Sequence, residues 1–150
     1  RSPSRGLGDV YKRQEKSKEN FSNNFLVEEM QPEPLGELLV GIFYDLQFGY
    51  VMTLASGGLL ANLIEDSVTV LLPASIHELD KSLGKLKINK LFQGYRGKKE
   101  INRTLLLGNL KKLTDFALDK SNNVQQIEIN PLFVFPEKNI AVDGIIWKNE

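Results

Sequence analysis

Cysteine is absent from the sequence, and histidine occurs once, at His77. The first absence excludes disulfides, thiolate metal sites and a cysteine nucleophile, and fits a reducing compartment. The second excludes a metal site built from several histidines, and leaves a Ser/His/Asp triad only if His77, on a predicted polar helix face, supplied the base. No excess of charge of either sign exists: 19 basic residues balance 19 acidic ones. The chain therefore lacks the basic footprint that nucleic acid or an anionic membrane surface would require. Long apolar runs are missing too. LLVGIF at 38–43 is far short of the ~20 residues that cross a bilayer, and no apolar leader follows the basic start. These absences together predict a soluble, cytoplasmic protein.

Generic nucleotide signatures are also lacking. There is no GxxxxGK followed by Ser or Thr, and no GxGxxG after a strand, so P-loop and dinucleotide-binding readings fail. What remains is ordinary globular composition, 41% hydrophobic and 25% charged, in a length that suits one core.

Residues 1–24 are polar, lean basic and show no apolar period. The run RSPSRGLGDVYKRQ reads as linker-like sequence without an initiating methionine, so this arm is expected to be disordered or non-native, part of a truncated or fused frame. A globular pattern begins at Phe25. Strands are expected at 25–30 (FLVEEM), 37–45 (ELLVGIFYD, apolar enough to be covered on both faces), 50–56 (YVMTLAS) and 68–73 (VTVLLP). Ser75 with Glu78 forms a capping-box pattern that starts a helix through about Leu86. A longer helix is expected from about Lys99 to Asp119, with Leu106, Leu110, Leu113 and Ala117 as its buried stripe. VQQIEINPLFVF (124–135) and NIAVDGIIW (139–147) read as a terminal hairpin about the turn PEKN. This order predicts an α+β fold, a largely antiparallel sheet with helices packed on one face.

The hairpin carries the most chemistry. Alternation sends Ile127 and Ile129 to one face, and Glu128 and Asn130 to the other. With PEKN as a four-residue turn, Phe135 pairs with Ile140, Leu132 faces Asp143 and Asn130 faces Ile145. Asn130 and Asp143 are then diagonal neighbours, with Cβ atoms under roughly 7–8 Å apart. Oxygen donors at that distance can share a Mg²⁺, which one or two carboxylates usually hold together with waters and substrate phosphates. The plain alternative is a solvated outer face, and Pro131 suits an edge strand because it cannot donate a ladder hydrogen bond.

EINPL followed by AVDG resembles the end of the ATP-grasp domain in ADP-forming acyl-CoA synthetases and in the β subunit of succinyl-CoA synthetase. LVEEM, the Glu37 strand, FGYVMTLASGG and LFQGYRG follow in the same family order, so the resemblance spans about Phe25 to Trp147. It implies the C-terminal subdomain of an ATP-grasp fold, within a larger enzyme that converts a carboxylic acid, CoA and ATP to acyl-CoA, ADP and phosphate. It implies Mg²⁺ at Asn130 and Asp143, with Glu128 as a further ligand or orienting group. It places ATP or ADP against Glu28, Glu29 and Met30 at the adenine and Glu37 at the ribose, and lets Gly57 and Gly58 shape the transfer loop. Either glycine could instead make only a turn, Glu28 and Glu37 could be solvent-facing strand ends, and Arg96 is either a phosphate contact or a loop charge. CoA, the acid and further domains or subunits of a synthetase are the implied partners, reached through parts outside this chain, so the piece alone should not turn over. Two departures, Asn62 for an acid and Val70 for an arginine, support an alternative: a non-catalytic, regulatory synthetase-like module, as in acetyltransferase fusions.

Overall fold

The computed structural model describes residues 27–58 and 65–149. The arm at 1–24, Phe25, Leu26 and Asn62 lie outside the described residues. The chain divides into two compact units, Arg1–Gln31 and Pro32–Glu150. In the first, residues 27–31 carry no regular structure, and Val27 and Met30 are almost fully exposed. The expected strand at 25–30 is thus not formed at 27–30: a strand persists only in a ladder, and these residues pair with none.

The second unit holds the fold. Its order is β1 (Gly36–Asp45), β2 (Gly49–Ser56), β3 (Ser67–Leu71), α1 (Ile76–Lys85), α2 (Asn89–Phe92), α3 (Arg103–Leu118), a 3₁₀ turn (Lys120–Asn122), β4 (Val124–Val134), β5 (Asn139–Ala141) and β6 (Gly144–Lys148). The sheet is antiparallel throughout, in order β3-β2-β1-β4-β5, with β6 also on β4. This is the expected α+β architecture. Leu38, Val40 and Ile42 of β1, Met52 and Leu54 of β2, and Ile127 of β4 meet Leu79 and Leu83 of α1 and Leu106 and Leu110 of α3 in one core. Each such side chain contributes roughly 1.5–3 kcal/mol by leaving water. Among the described residues, helices cover β1 on one face only: Leu38, Val40 and Ile42 are fully buried while Phe43 is 40% exposed.

Local chemistry sets the helix ends. Ser75 caps α1: its hydroxyl accepts from the Glu78 backbone N–H, and the Glu78 carboxylate accepts from the Ser75 N–H in return. The Ser75 N–H (2.7 Å) and then the Ser75 hydroxyl (2.8 Å) donate to the Glu78 carboxylate, which favours the ionised form and holds that carboxyl below the usual glutamate range. The stability they add is therefore present above the ordinary glutamate pKa and lost as pH falls through the lowered one. Ser75→Ala should cost about 1 kcal/mol at neutral pH, and its difference from wild type in urea melts should shrink below about pH 4.

α3 starts at Arg103 rather than near Lys99, because left-handed backbone at Arg96 and the backbone bonds Ile101 N–H to Phe92 O (3.0 Å) and Asn102 N–H to Pro136 O (2.7 Å) commit the preceding residues elsewhere. Asn102 caps it, accepting from the Leu105 N–H at 3.0 Å. Arg103 then ties α3 to α1 and α2 through Asp80 and Asn89.

The terminal hairpin departs from the expected pairing in three ways. The Phe135 N–H donates to Lys138 O (2.9 Å), so the turn is the two residues Pro136 and Glu137, and the pairs become Leu132 with Ala141 and Phe133 with Ile140. The expected single strand at 139–147 is interrupted at Val142 and Asp143 into β5 and β6. Pro131 is in a central strand, not an edge one. Between the pairs Leu38–Leu132 and Val40–Ile129, Asn130 and Pro131 together oppose Leu39. That β-bulge, with no ladder bond to donate, is where a central strand tolerates proline.

Candidate metal and nucleotide site

Strand alternation sets where the polar side chains of β4 point, and the bulge resets that alternation beyond Asn130. Before it, Ile127 and Ile129 are buried; after it, Leu132 and Val134 are, so the inward parity switches at Asn130–Pro131. Glu128 and Asn130 consequently project to the face away from the helices, with Glu128 beside Gly41 of β1 and Ile145 of β6. Across the hairpin, the Asn130 N–H donates to Asp143 O at 3.0 Å and the Val142 N–H to Pro131 O at 3.0 Å. Asn130 and Asp143 are thus directly opposite, not diagonal.

Glu128, Asn130, Asp143, Gly144 and Ile145 line one small cavity of about 90 Å³. A water occupies ≈ 30 Å³ of liquid, so this space suits a cation with a few waters. Two carboxylates and a carboxamide match what Mg²⁺ takes from protein when waters and phosphates complete its shell. Among the described residues no group of three or more His, Cys, Asp or Glu side chains gathers for a metal.

A larger cleft of about 620 Å³ opens at the start of β1. Glu37, Gly57, Gly58 and Asp66 line it with Lys87, Lys90 and apolar Leu35, Ile88, Leu91 and Tyr95. Its size falls in the range of small-molecule sites. The Gly57 N–H donates to Glu37 O at 2.7 Å, prolonging the β1–β2 ladder into the cleft wall. Asp66 is 8% exposed, and its two carboxylate oxygens accept from the backbone N–H groups of Lys87 (2.6 Å) and Ile88 (3.0 Å). Its carbonyl accepts from the Ser56 N–H at 2.9 Å, so one residue fixes both sides of the cleft. Asp66→Asn should lower stability by about 1–2 kcal/mol by turning one acceptor into a donor facing an N–H, readable by urea denaturation.

Glu37 shares its sheet face with Glu128 and Asn130, since it alternates with buried Leu38. Two residues along β1 and one strand across separate Glu37 from Asn130. That is roughly 8 Å between backbones, given ~3.3 Å per residue and ~4.8 Å between strands. Glu28, Glu29 and Met30 lie in the other compact unit and are exposed. His77 is an exposed helix residue. Arg96 stacks over the neighbouring Tyr95 ring at 5.2 Å. Val70 pairs with Met52 and is buried in the core, so nothing at that position faces the cleft. Sequence reasoning overlooked Asp66, Lys87 and Lys90, whose common wall joins residues about twenty positions apart and leaves no local pattern.

An ATP-grasp domain family model matches residues 6–147. The chain is 30% identical over 112 residues to the β subunit of an ADP-forming acetate–CoA ligase (form I) from Pyrococcus furiosus, covering 74% of this chain and 48% of that one. It is 28% identical over 113 residues to the ADP-forming acetate–CoA ligase of Methanocaldococcus jannaschii, covering 75% of this chain and 16% of that one. Among solved structures, the dinucleotide-forming acetyl-coenzyme A synthetase 1 of Ca. Korarchaeum cryptofilum, in complex with coenzyme A and Mg-AMPPCP, superposes with a TM-score of 0.76 at 24% identity, over 95% of this chain and 64% of that one. The chain spans about half the length of the Pyrococcus β subunits it matches.

Proposed function

Because the chain belongs to the ATP-grasp domain family, we propose that it supplies the ATP/ADP- and Mg²⁺-binding part of an ADP-forming acyl-CoA synthetase. The whole enzyme would join a carboxylic acid to CoA with cleavage of ATP to ADP and phosphate, CoA and acid being handled by other domains or subunits. In this reading Asn130 and Asp143 hold Mg²⁺, and Glu128 is a third donor or orients them. The metal supplies charge neutralisation on the phosphates undergoing transfer. Glu37 accepts from ribose hydroxyls, and Gly57 and Gly58 bound the transfer loop.

One observation carries the reading: three oxygen-bearing side chains ring a single 90 Å³ cavity on the same sheet face as Glu37. A spacing of roughly 8 Å between Glu37 and Asn130 lets one nucleotide engage both. No helix among the described residues is long and apolar enough to cross a membrane.

Thermal denaturation of the chain with Mg·ADP, against ADP with chelator, tests this. A ligand at 100 times its Kd stabilises by about 2.7 kcal/mol; equal melting temperatures with and without Mg²⁺ would overturn the proposal. A second reading, a regulatory module that keeps the fold without turnover, takes its support from the sequence, where Asn62 and Val70 stand in place of an acid and an arginine. It predicts nucleotide binding with no synthetase activity in the complete protein.

A further inference from the structure

Two adjacent glycines border Glu37, and each leaves room for a different part of it. A Cβ on Gly57 would lie 3.0 Å from the Glu37 Cβ and 3.2 Å from its carbonyl carbon. A Cβ on Gly58 would lie 3.2 Å from Glu37 Oε2 and 3.4 Å from its Cδ. Gly57 therefore admits the backbone of β1, while Gly58 admits the carboxylate. Gly58 also has φ +80°, which turns its missing side chain toward that carboxylate.

We propose that Gly58 is a positioning residue that acts through Glu37: by leaving open the space where a side chain would stand, it lets the Glu37 carboxylate reach two neighbouring hydroxyls in the cleft. This rests on the reading of Glu37 as the ribose contact. The glycine pair then serves Glu37 rather than touching a phosphate itself. A carboxylate is the free end of a flexible side chain, so a Cβ at Gly58 displaces it by a few tenths of an ångström without breaking the strand. A hydrogen bond from a vicinal diol tolerates such a displacement poorly, because both hydroxyls must reach the same group.

The effect of the contact separates from that of the backbone. A left-handed φ disfavours alanine whatever residue 37 is, whereas the contact with Oε2 vanishes when Glu37 is shortened. The test measures the Kd of Mg·ADP by calorimetric titration of the whole chain carrying Gly58→Ala, Glu37→Ala, both together, and Gly58→Ala with Glu37→Asp. Gly58→Ala should weaken binding about ten-fold, the scale of one charge-assisted hydrogen bond, as should Glu37→Ala. The double alanine variant should bind no more weakly than Glu37→Ala alone. Gly58→Ala with Glu37→Asp should recover part of the loss, because the carboxylate withdraws by one methylene. If Gly58→Ala does not fold, Gly58→Asn places the same Cβ on a residue that tolerates left-handed backbone. Equal fold-losses from the Gly58 change with Glu37 present and absent would overturn the positioning role and leave the nucleotide reading standing. An unchanged Kd in Glu37→Ala would overturn both.

Discussion

Asp143→Ala is expected to abolish the Mg²⁺-dependent part of nucleotide stabilisation, about 2.7 kcal/mol at 100 times the Kd, while the ligand-free chain melts within about 0.5 kcal/mol of wild type. The separation follows from geometry. The bond that Asp143 makes to the hairpin is through its carbonyl, which accepts from the Asn130 N–H at 3.0 Å, and alanine keeps that carbonyl. Its side chain is exposed and lines the 90 Å³ cavity, so removing it costs the fold little and the cavity one of two carboxylates. Asn130→Ala should act in the same direction. Melting curves for both variants, with and without Mg·ADP, read the effect; an undiminished Mg²⁺ shift in Asp143→Ala would remove this residue from the site.

Leu110→Ala should have the opposite signature, a loss of about 2–5 kcal/mol in folding stability with little change in nucleotide affinity. Leu110 is fully buried in the middle of α3, on the helix side of the sheet. The polar side chains of β4 project from the other side. Truncation leaves a cavity between α3 and the strands that rigid neighbours fill only in part. Leu113, one turn on and only partly buried, should cost less when truncated. Urea denaturation gives the stability, and titration of the folded variant gives the affinity. A Leu110→Ala chain of near wild-type stability would contradict the core assignment.

These two opposed faces were largely legible in the sequence. The capping box at Ser75 and Glu78 is a local device, decided within one turn, and it forms as read. The stripe on α3 needs only the helical period. The placement of Glu128 and Asn130 away from Ile127 and Ile129 needs only the strand period. The pairing across the hairpin was misjudged by two residues, since a two-residue turn replaces the four-residue one. Side chains repeat every second residue along a strand, so that slip keeps each one on its face and turns a diagonal Asn130–Asp143 pair into a direct one. A slip of one would have separated them.

What the sequence hid was non-local. Pro131 is central because β4 is flanked by β1 on one side and β5 and β6 on the other, whereas in the sequence a lone proline reads equally well as an edge. Asp66 has an unremarkable sequence setting, yet its carboxylate is held by backbone N–H groups beyond the end of α1. The absence of a strand at 27–30 is likewise a matter of pairing, which β-propensity alone does not decide.

The most direct test of the central claim replaces Mg²⁺ with paramagnetic Mn²⁺ and follows the backbone amide resonances of the chain in the presence of ADP. The account predicts that Glu128, Asn130, Asp143 and Gly144 broaden first, ahead of other acidic surface residues such as Asp45 and Glu100. Broadening that spreads evenly over exposed carboxylates, or that spares the β4–β6 hairpin, would contradict it.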